Sequence, residues 1–202
     1  IATVFYRKAF LVIIVLSLFF LVMPAISYAQ DGEVEQEYSR EFGLFSGWAD
    51  GKLKYSQGKY QMVPLHLQIG FDITYMLENI NIDPPGNLKF YFEPFINPIL
   101  NPAENVEVGN NFMLKYSHPL TQKLSVFIES GLGLLYTTLH TYEQATQFNF
   151  SQQVGGGISY LFAKDKVVSI GYRRRHFSNA DIEEPNAGID MDYILCGITI
   201  FY

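Results

Sequence analysis

A chain of 202 residues, 49% hydrophobic and 17% charged, has the size of one globular or membrane domain and gives no reason to look for two. Its formal charge of −6 argues against a nucleic-acid partner, and its one cysteine, Cys196, excludes an intrachain disulfide or a cysteine-built metal site. Aromatic residues make up 16%, and they favour strands because their side chains fit a pleated, half-buried surface.

The chain starts with Arg7 and Lys8, an apolar run from Ala9 to Met23, Pro24, and the small-residue pattern Ser27-Tyr28-Ala29. This is the layout of a secretory signal over residues 1–29, cleaved after Ala29. The run is shorter than the roughly 20 apolar residues of a spanning helix, and Pro24 interrupts it. Removing it takes away two positive charges and moves the net charge from −6 to −8. Residues 30–202 then form one domain.

From 65 to 75 the odd positions are Leu65, Leu67, Ile69, Phe71, Ile73 and Tyr75, and the even ones are His66, Gln68, Gly70, Asp72 and Thr74. This is strand periodicity. It recurs at Leu88, Phe90 and Phe92, and at Phe112, Leu114 and Tyr116. From 124 to 136 the apolar file is Leu124, Val126, Ile128, Leu132, Leu134 and Tyr136; from 148 to 162 it includes Phe148, Phe150, Val154, Ile158, Tyr160 and Phe162. The opposite files hold Glu129, Gly131, Gly133, Asn149, Ser151, Gln153, Gly155 and Gly157, short or polar side chains that suit a narrow interior.

With 41–49, 165–178 and 190–202 added, the chain divides into eight strands, each long enough to cross a bilayer at a tilt. The fold class is therefore all-β: an eight-stranded antiparallel transmembrane barrel of outer-membrane type. Only a closed barrel satisfies every strand hydrogen bond in lipid. Alternation by itself equally fits a soluble lipocalin-like barrel, with its apolar face turned inward. The signal segment favours the membrane, as do Ile194, Cys196, Ile198, Ile200 and Tyr202, which alternate to the last residue like the closing strand of outer-membrane proteins. The location expected is the outer membrane of a Gram-negative cell. With the N-terminus in the periplasm, the loops 50–59, 98–108, 138–146 and 179–189 face outward. The periplasmic links are 118–122, 162–165 and a longer 78–86 containing Pro84-Pro85-Gly86.

The seventh strand ends in Arg173-Arg174-Arg175-His176-Phe177-Ser178-Asn179-Ala180, and Pro185-Asn186-Ala187-Gly188 follows before the last strand. The run His-Phe-Ser-Asn-Ala, then Pro-Asn-x-Gly and an acid, resembles the PagL-type lipid A 3-O-deacylases, eight-stranded outer-membrane barrels with a Ser-His-acid triad. The resemblance covers about residues 165–202. It implies His176 as base, Ser178 as nucleophile, Asn179 as oxyanion donor and Asp190 as the acid. It also implies hydrolysis of a 3-O-linked acyl ester of lipid A, with lipopolysaccharide and membrane lipids as partners. A homodimer is compatible with this reading, and no metal or other cofactor is required. The best-described member of that family has glutamate where this chain has aspartate, so Asp192, Glu183 and Glu184 stay in competition for the acid.

His176 and Ser178 are two apart on a strand and share a face with Tyr172, Ile170 and Val168, which makes it the lipid-facing one. Pairing His176 with Asp190 across the last hairpin also aligns Tyr172 with Ile194 and sets Asp192 against Arg174. A substrate diffusing in the leaflet reaches such a site without entering the barrel. Arg174 lies below His176 on the same face and is placed to meet a lipid A phosphate or to reach the headgroups. Arg173 and Arg175 have interior parity, with Glu129, Glu93 or Asp72 as partners. Two other readings remain: a non-enzymatic barrel for adhesion, structure or transport, and an outer-membrane phospholipase or acyltransferase.

Overall fold

In the computed structural model, which describes residues 40–82 and 84–202, the alternating segments run antiparallel and hydrogen-bond in sequence order. The signal expected over 1–29 lies outside these residues. The strands are β1 (Arg40–Lys52), β2 (Lys59–Met62), β3 (Leu65–Asp72), β4 (Asn87–Asn101), β5 (Asn105–Pro119), β6 (Leu124–Thr137), β7 (Phe148–Ala163), β8 (Lys166–Ser178) and β9 (Ile189–Phe201). β1 also pairs with β9, from Glu41↔Phe201 to Gly51↔Met191, so the sheet closes on itself. β2 and β3 both pair with β1 and with β4. They are two pieces of one crossing, separated at Val63-Pro64, because Pro64 has no N–H to give the ladder. Nine strands therefore make eight crossings, as in an outer-membrane barrel.

Several boundaries differ from the sequence pattern, among them the outer loop expected over 50–59, where β1 runs on to Lys52 and β2 starts at Lys59. The strand expected to continue to Tyr75 stops at Asp72, whose carboxylate accepts the Thr74 N–H at 2.8 Å; a helical turn, α1 (Tyr75–Glu78), follows. This local bond offers the backbone an alternative to the ladder. The outer loop expected over 98–108 shrinks to residues 102–104, since β4 and β5 stay paired out to Ile99↔Asn105.

The apolar files point outward. Ile128, Leu132, Val154 and Ile194 are each more than half exposed, whereas their polar neighbours Glu129, Gln153 and Tyr193 are buried. Such a surface is stable only against hydrocarbon. Inside, charge is balanced by pairs. Arg173 holds Glu93 through two nitrogens at 2.6 and 3.1 Å, and its Nε donates to Glu129 at 2.8 Å. Arg175 holds Glu107 in a fork at 2.7 and 2.8 Å. Buried guanidinium and carboxylate groups persist because each fork meets its partner bidentately. Glu107 was not among the expected partners, and Asp72 instead serves the turn at the strand end. Toward the end with the longer loops, which barrels of this type turn to the exterior, Tyr60, Met62, Ile99, Leu135, Phe177, Ile189 and Met191 fill the interior. The end of β8 therefore stands on a packed plug.

Candidate functional site

β8 and β9 pair from Lys166↔Ile200 to Phe177↔Ile189, and this register sets His176 directly opposite Asp190 and Arg174 opposite Asp192. His176 Nδ1 lies 2.8 Å from Asp190 Oδ1. The pair sits on the outward face with side chains 37% and 45% exposed, at the outer rim of the wall. Asp192 is held elsewhere: Arg174 Nη1 donates to it at 3.2 Å and the Tyr172 hydroxyl at 2.5 Å. The second oxygen of Asp190 lies 3.6 Å from Arg174 Nη2. Arg174 is thus shared between two carboxylates one strand pitch apart. Neither Glu183 nor Glu184 hydrogen-bonds His176 among the described residues; the Glu184 carboxylate accepts the Asn186 N–H at 3.1 Å.

Ser178 ends β8 on the same face, opposite Phe150 of β7. No hydrogen bond joins its hydroxyl to the imidazole among the described residues. Behind the ring, Gly188 adopts φ +69°, and a Cβ there would lie 2.4 Å from His176 Cε1. Glycine at this position both permits the backbone turn into β9 and leaves room for the imidazole.

Loop 179–188 is tied to its neighbours. Asn179 is fully buried; its Nδ2 donates to Glu183 O at 2.6 Å and its N–H to Asn186 Oδ1 at 3.0 Å and Gln144 Oε1 at 3.2 Å. The Ala145 N–H donates to Pro185 O at 2.8 Å, the Ala187 N–H to Glu143 O at 2.9 Å, and Lys54 Nζ to Ala187 O at 2.9 Å. The Glu143 carboxylate, itself buried, accepts the Tyr55 and Ser56 N–H groups at 2.8 and 3.2 Å. Three outer loops are therefore bonded together around the end of β8. The Asn179 backbone N–H and one N–H of its amide, the side chain expected at the reacting centre, are engaged in this lacing.

Two clefts meet on the outer wall beside His176. The smaller, about 220 Å³, is lined by Leu132, Phe150, Ser151, Gln152, His176 and Ser178. The larger, about 750 Å³, runs over Phe90, Phe112, Leu114, Leu132 and Val154, with Gln152, Arg174 and His176 at its polar side. An apolar trough ending at a polar corner suits a fatty acyl chain attached to a polar head. Gln152, Glu143, Gln144 and Lys54 were not singled out from the sequence. Only Gln152 left a signal there, as an amide at an even position in the file Phe148, Phe150, Val154. The three remaining histidines lie apart: His66 is buried against Glu93 at 3.0 Å, His118 lies near the end of β5, and His140 meets Gln147 in an outer loop. Among the described residues no three His, Cys, Asp or Glu are grouped to hold a metal ion.

Residues 64–199 match the family described as lipid A 3-O-deacylase (PagL). Over 67 residues the chain is 31% identical to the lipid A deacylase PagL of Pseudomonas aeruginosa, an alignment that covers 32% of this chain and 36% of that protein. The chain thus spans about a third of that relative's length in the aligned stretch. The crystal structure of the outer membrane enzyme PagL superposes with a TM-score of 0.54 at 18% identity, covering 77% of this chain and 97% of the other. Neisserial surface protein A superposes with a TM-score of 0.63 at 11% identity, covering 81% and 97%. At such identities these two structures speak for the barrel fold.

Proposed function

The chain belongs to the lipid A 3-O-deacylase (PagL) family, and from that membership we propose that it is an outer-membrane serine esterase which removes the 3-O-linked acyl chain of lipid A. The observation that carries the reading is the His176 Nδ1 to Asp190 Oδ1 contact of 2.8 Å on the lipid-facing wall, two residues from Ser178 and at the end of an apolar trough.

In this reading Asp190 keeps the proton on Nδ1, so that Nε2 is free to take the Ser178 hydroxyl proton as the oxygen attacks the ester carbonyl. The imidazolium then returns the proton to the departing sugar oxygen. Water, deprotonated by the same imidazole, cleaves the acyl-serine and regenerates the hydroxyl. The trough takes the acyl chain along β7, β6, β5 and β4, while the sugar stays at the rim. Arg174, half exposed on the wall below His176, is the contact for a lipid A phosphate. The bonded outer loops hold the end of β8 in place while the substrate arrives laterally from the leaflet.

The test is mass analysis of lipid A from outer membranes with the wild-type chain, with Ser178→Ala and without the chain. The wild type alone should yield lipid A lacking one ester-linked acyl chain. The same loss with Ser178→Ala would remove the seryl mechanism.

A further inference from the structure

On the outward file of β7, Phe148, Phe150, Val154 and Ile158 are between 38% and 60% exposed, as a wall against hydrocarbon requires. Gln152 interrupts this file. Its side chain is also exposed, and it makes no hydrogen bond to any other described residue. A primary amide on an apolar wall is unfavourable wherever it gives up water without gaining a partner, because it has two donors and an acceptor to satisfy. Such a group is retained where something polar comes to it.

Its position says what that is. The β7–β8 register places Gln152 directly opposite His176, with Ser178 diagonal to it across Phe150. Directly opposed side chains on one face lie within contact reach, and diagonal neighbours are within reach of a long side chain. Gln152 lines both the cleft that holds Ser178 and the apolar trough beside it. An acyl chain lying in the trough with its ester at Ser178 therefore passes Gln152 at the carbonyl end. The neighbouring side-chain donors each hold a partner within the chain, the Asn179 amide Glu183 O, the Gln153 amide Asn111 Oδ1 and Arg174 Asp192, whereas the Gln152 amide holds none among the described residues.

We propose that Gln152 Nε2–H donates to the carbonyl oxygen of the scissile ester and stabilises the oxyanion formed on it. This deepens the esterase reading above and rests on it. As the bond from Ser178 Oγ to the carbonyl carbon forms, the C=O π pair moves onto oxygen and the hydroxyl proton moves to His176. Gln152 holds the resulting charge. When the C=O reforms, the bond to the alkoxy group breaks and that oxygen takes the proton from the imidazolium. A donor aimed at developing charge lowers the barrier to the chemical step and leaves ground-state affinity nearly unchanged.

The decisive experiment measures kcat and KM of the refolded barrel in detergent on two substrates, purified lipid A and a p-nitrophenyl ester of a medium-chain acid. Wild type is compared with Gln152→Met, which keeps the length but has no donor, with Gln152→Leu, and with Gln152→Glu, whose carboxylate only accepts. Both apolar variants match the lipid-facing file, so they should assemble and keep the heat-dependent gel mobility of a folded barrel. The expected result is a fall in kcat of about 10²-fold on both substrates with KM within threefold, and no rescue by Gln152→Glu. Unchanged kcat in Gln152→Met or Gln152→Leu, or a change in KM alone on lipid A, overturns the assignment and leaves the esterase reading standing. A wild-type barrel inactive on both substrates overturns the esterase reading, and this assignment falls with it.

Discussion

In Asp190→Asn, the carboxylate oxygen 2.8 Å from His176 Nδ1 becomes either an amide oxygen or an amide N–H. The amide oxygen preserves the productive tautomer. The N–H favours a ring with its proton on Nε2, which cannot accept the Ser178 proton. In a well-studied serine protease with a buried aspartate this exchange costs about 10⁴ in turnover. Here the two side chains are 37% and 45% exposed, and Arg174 Nη2 stands 3.6 Å from the second carboxylate oxygen. Arg174 supplies donors only, so it draws the amide oxygen to itself and turns the N–H toward the imidazole. Water at the rim loosens that preference. The expected loss in kcat/KM is therefore about 10² to 10³, less than in a buried site. Asp190→Glu, with the chemistry retained one methylene further out, should keep measurable activity. Asp192→Asn removes the charge facing Arg174, leaves an amide oxygen to accept from Arg174 and Tyr172, touches no bond to His176, and should cost less than about tenfold. Steady-state rates of acyl release from purified lipid A decide between them. A larger loss in Asp192→Asn than in Asp190→Asn would refute the argument and shift the acid to the neighbouring carboxylate.

Ser178→Ala and His176→Ala should each abolish acyl release while heat-dependent gel mobility is kept, because both side chains sit on the rim and neither holds the interior together. In Gly188→Ala, a Cβ 2.4 Å from the imidazole at φ +69° must push the ring away from Asp190, so activity should fall at least about tenfold in a barrel that still assembles; full activity would show that the loop relaxes around the methyl group. Arg175→Met leaves Glu107 buried with Asn97 as its remaining described side-chain donor, and should destabilise the barrel by about 3–5 kcal/mol in urea titrations in detergent, whereas Arg175→Met with Glu107→Gln should recover much of that loss.

The period-2 pattern determined the strands and their number, because one residue of shift in a barrel exchanges every wall residue with an interior one. The same strictness narrowed the last hairpin: parity puts His176, Arg174, Asp190 and Asp192 on one face and admits His176 opposite Asp190, and the register of the closed sheet selects that pairing. The short run Asn149, Ser151, Gln153, Gly155 likewise marked an interior too narrow for large side chains on every strand. Which face turned to lipid lay beyond alternation, which is symmetric between the two. The signal expected over residues 1–29 and the closing strand bore on that choice, and the paired charges inside a closed ring decided it.

Contacts between segments far apart in sequence had no local signature. Arg175 reaches Glu107 across 68 residues, and Asn179 is drawn into the loop lacing by Gln144 from 35 residues away. Their pairing depends on where the ring brings the strand ends. Gln152 stood in plain view as a polar residue in an apolar file, yet its meaning depended on β7 lying beside β8 at that register. A side chain's parity is a property of its own strand, and its neighbours are a property of the closed sheet.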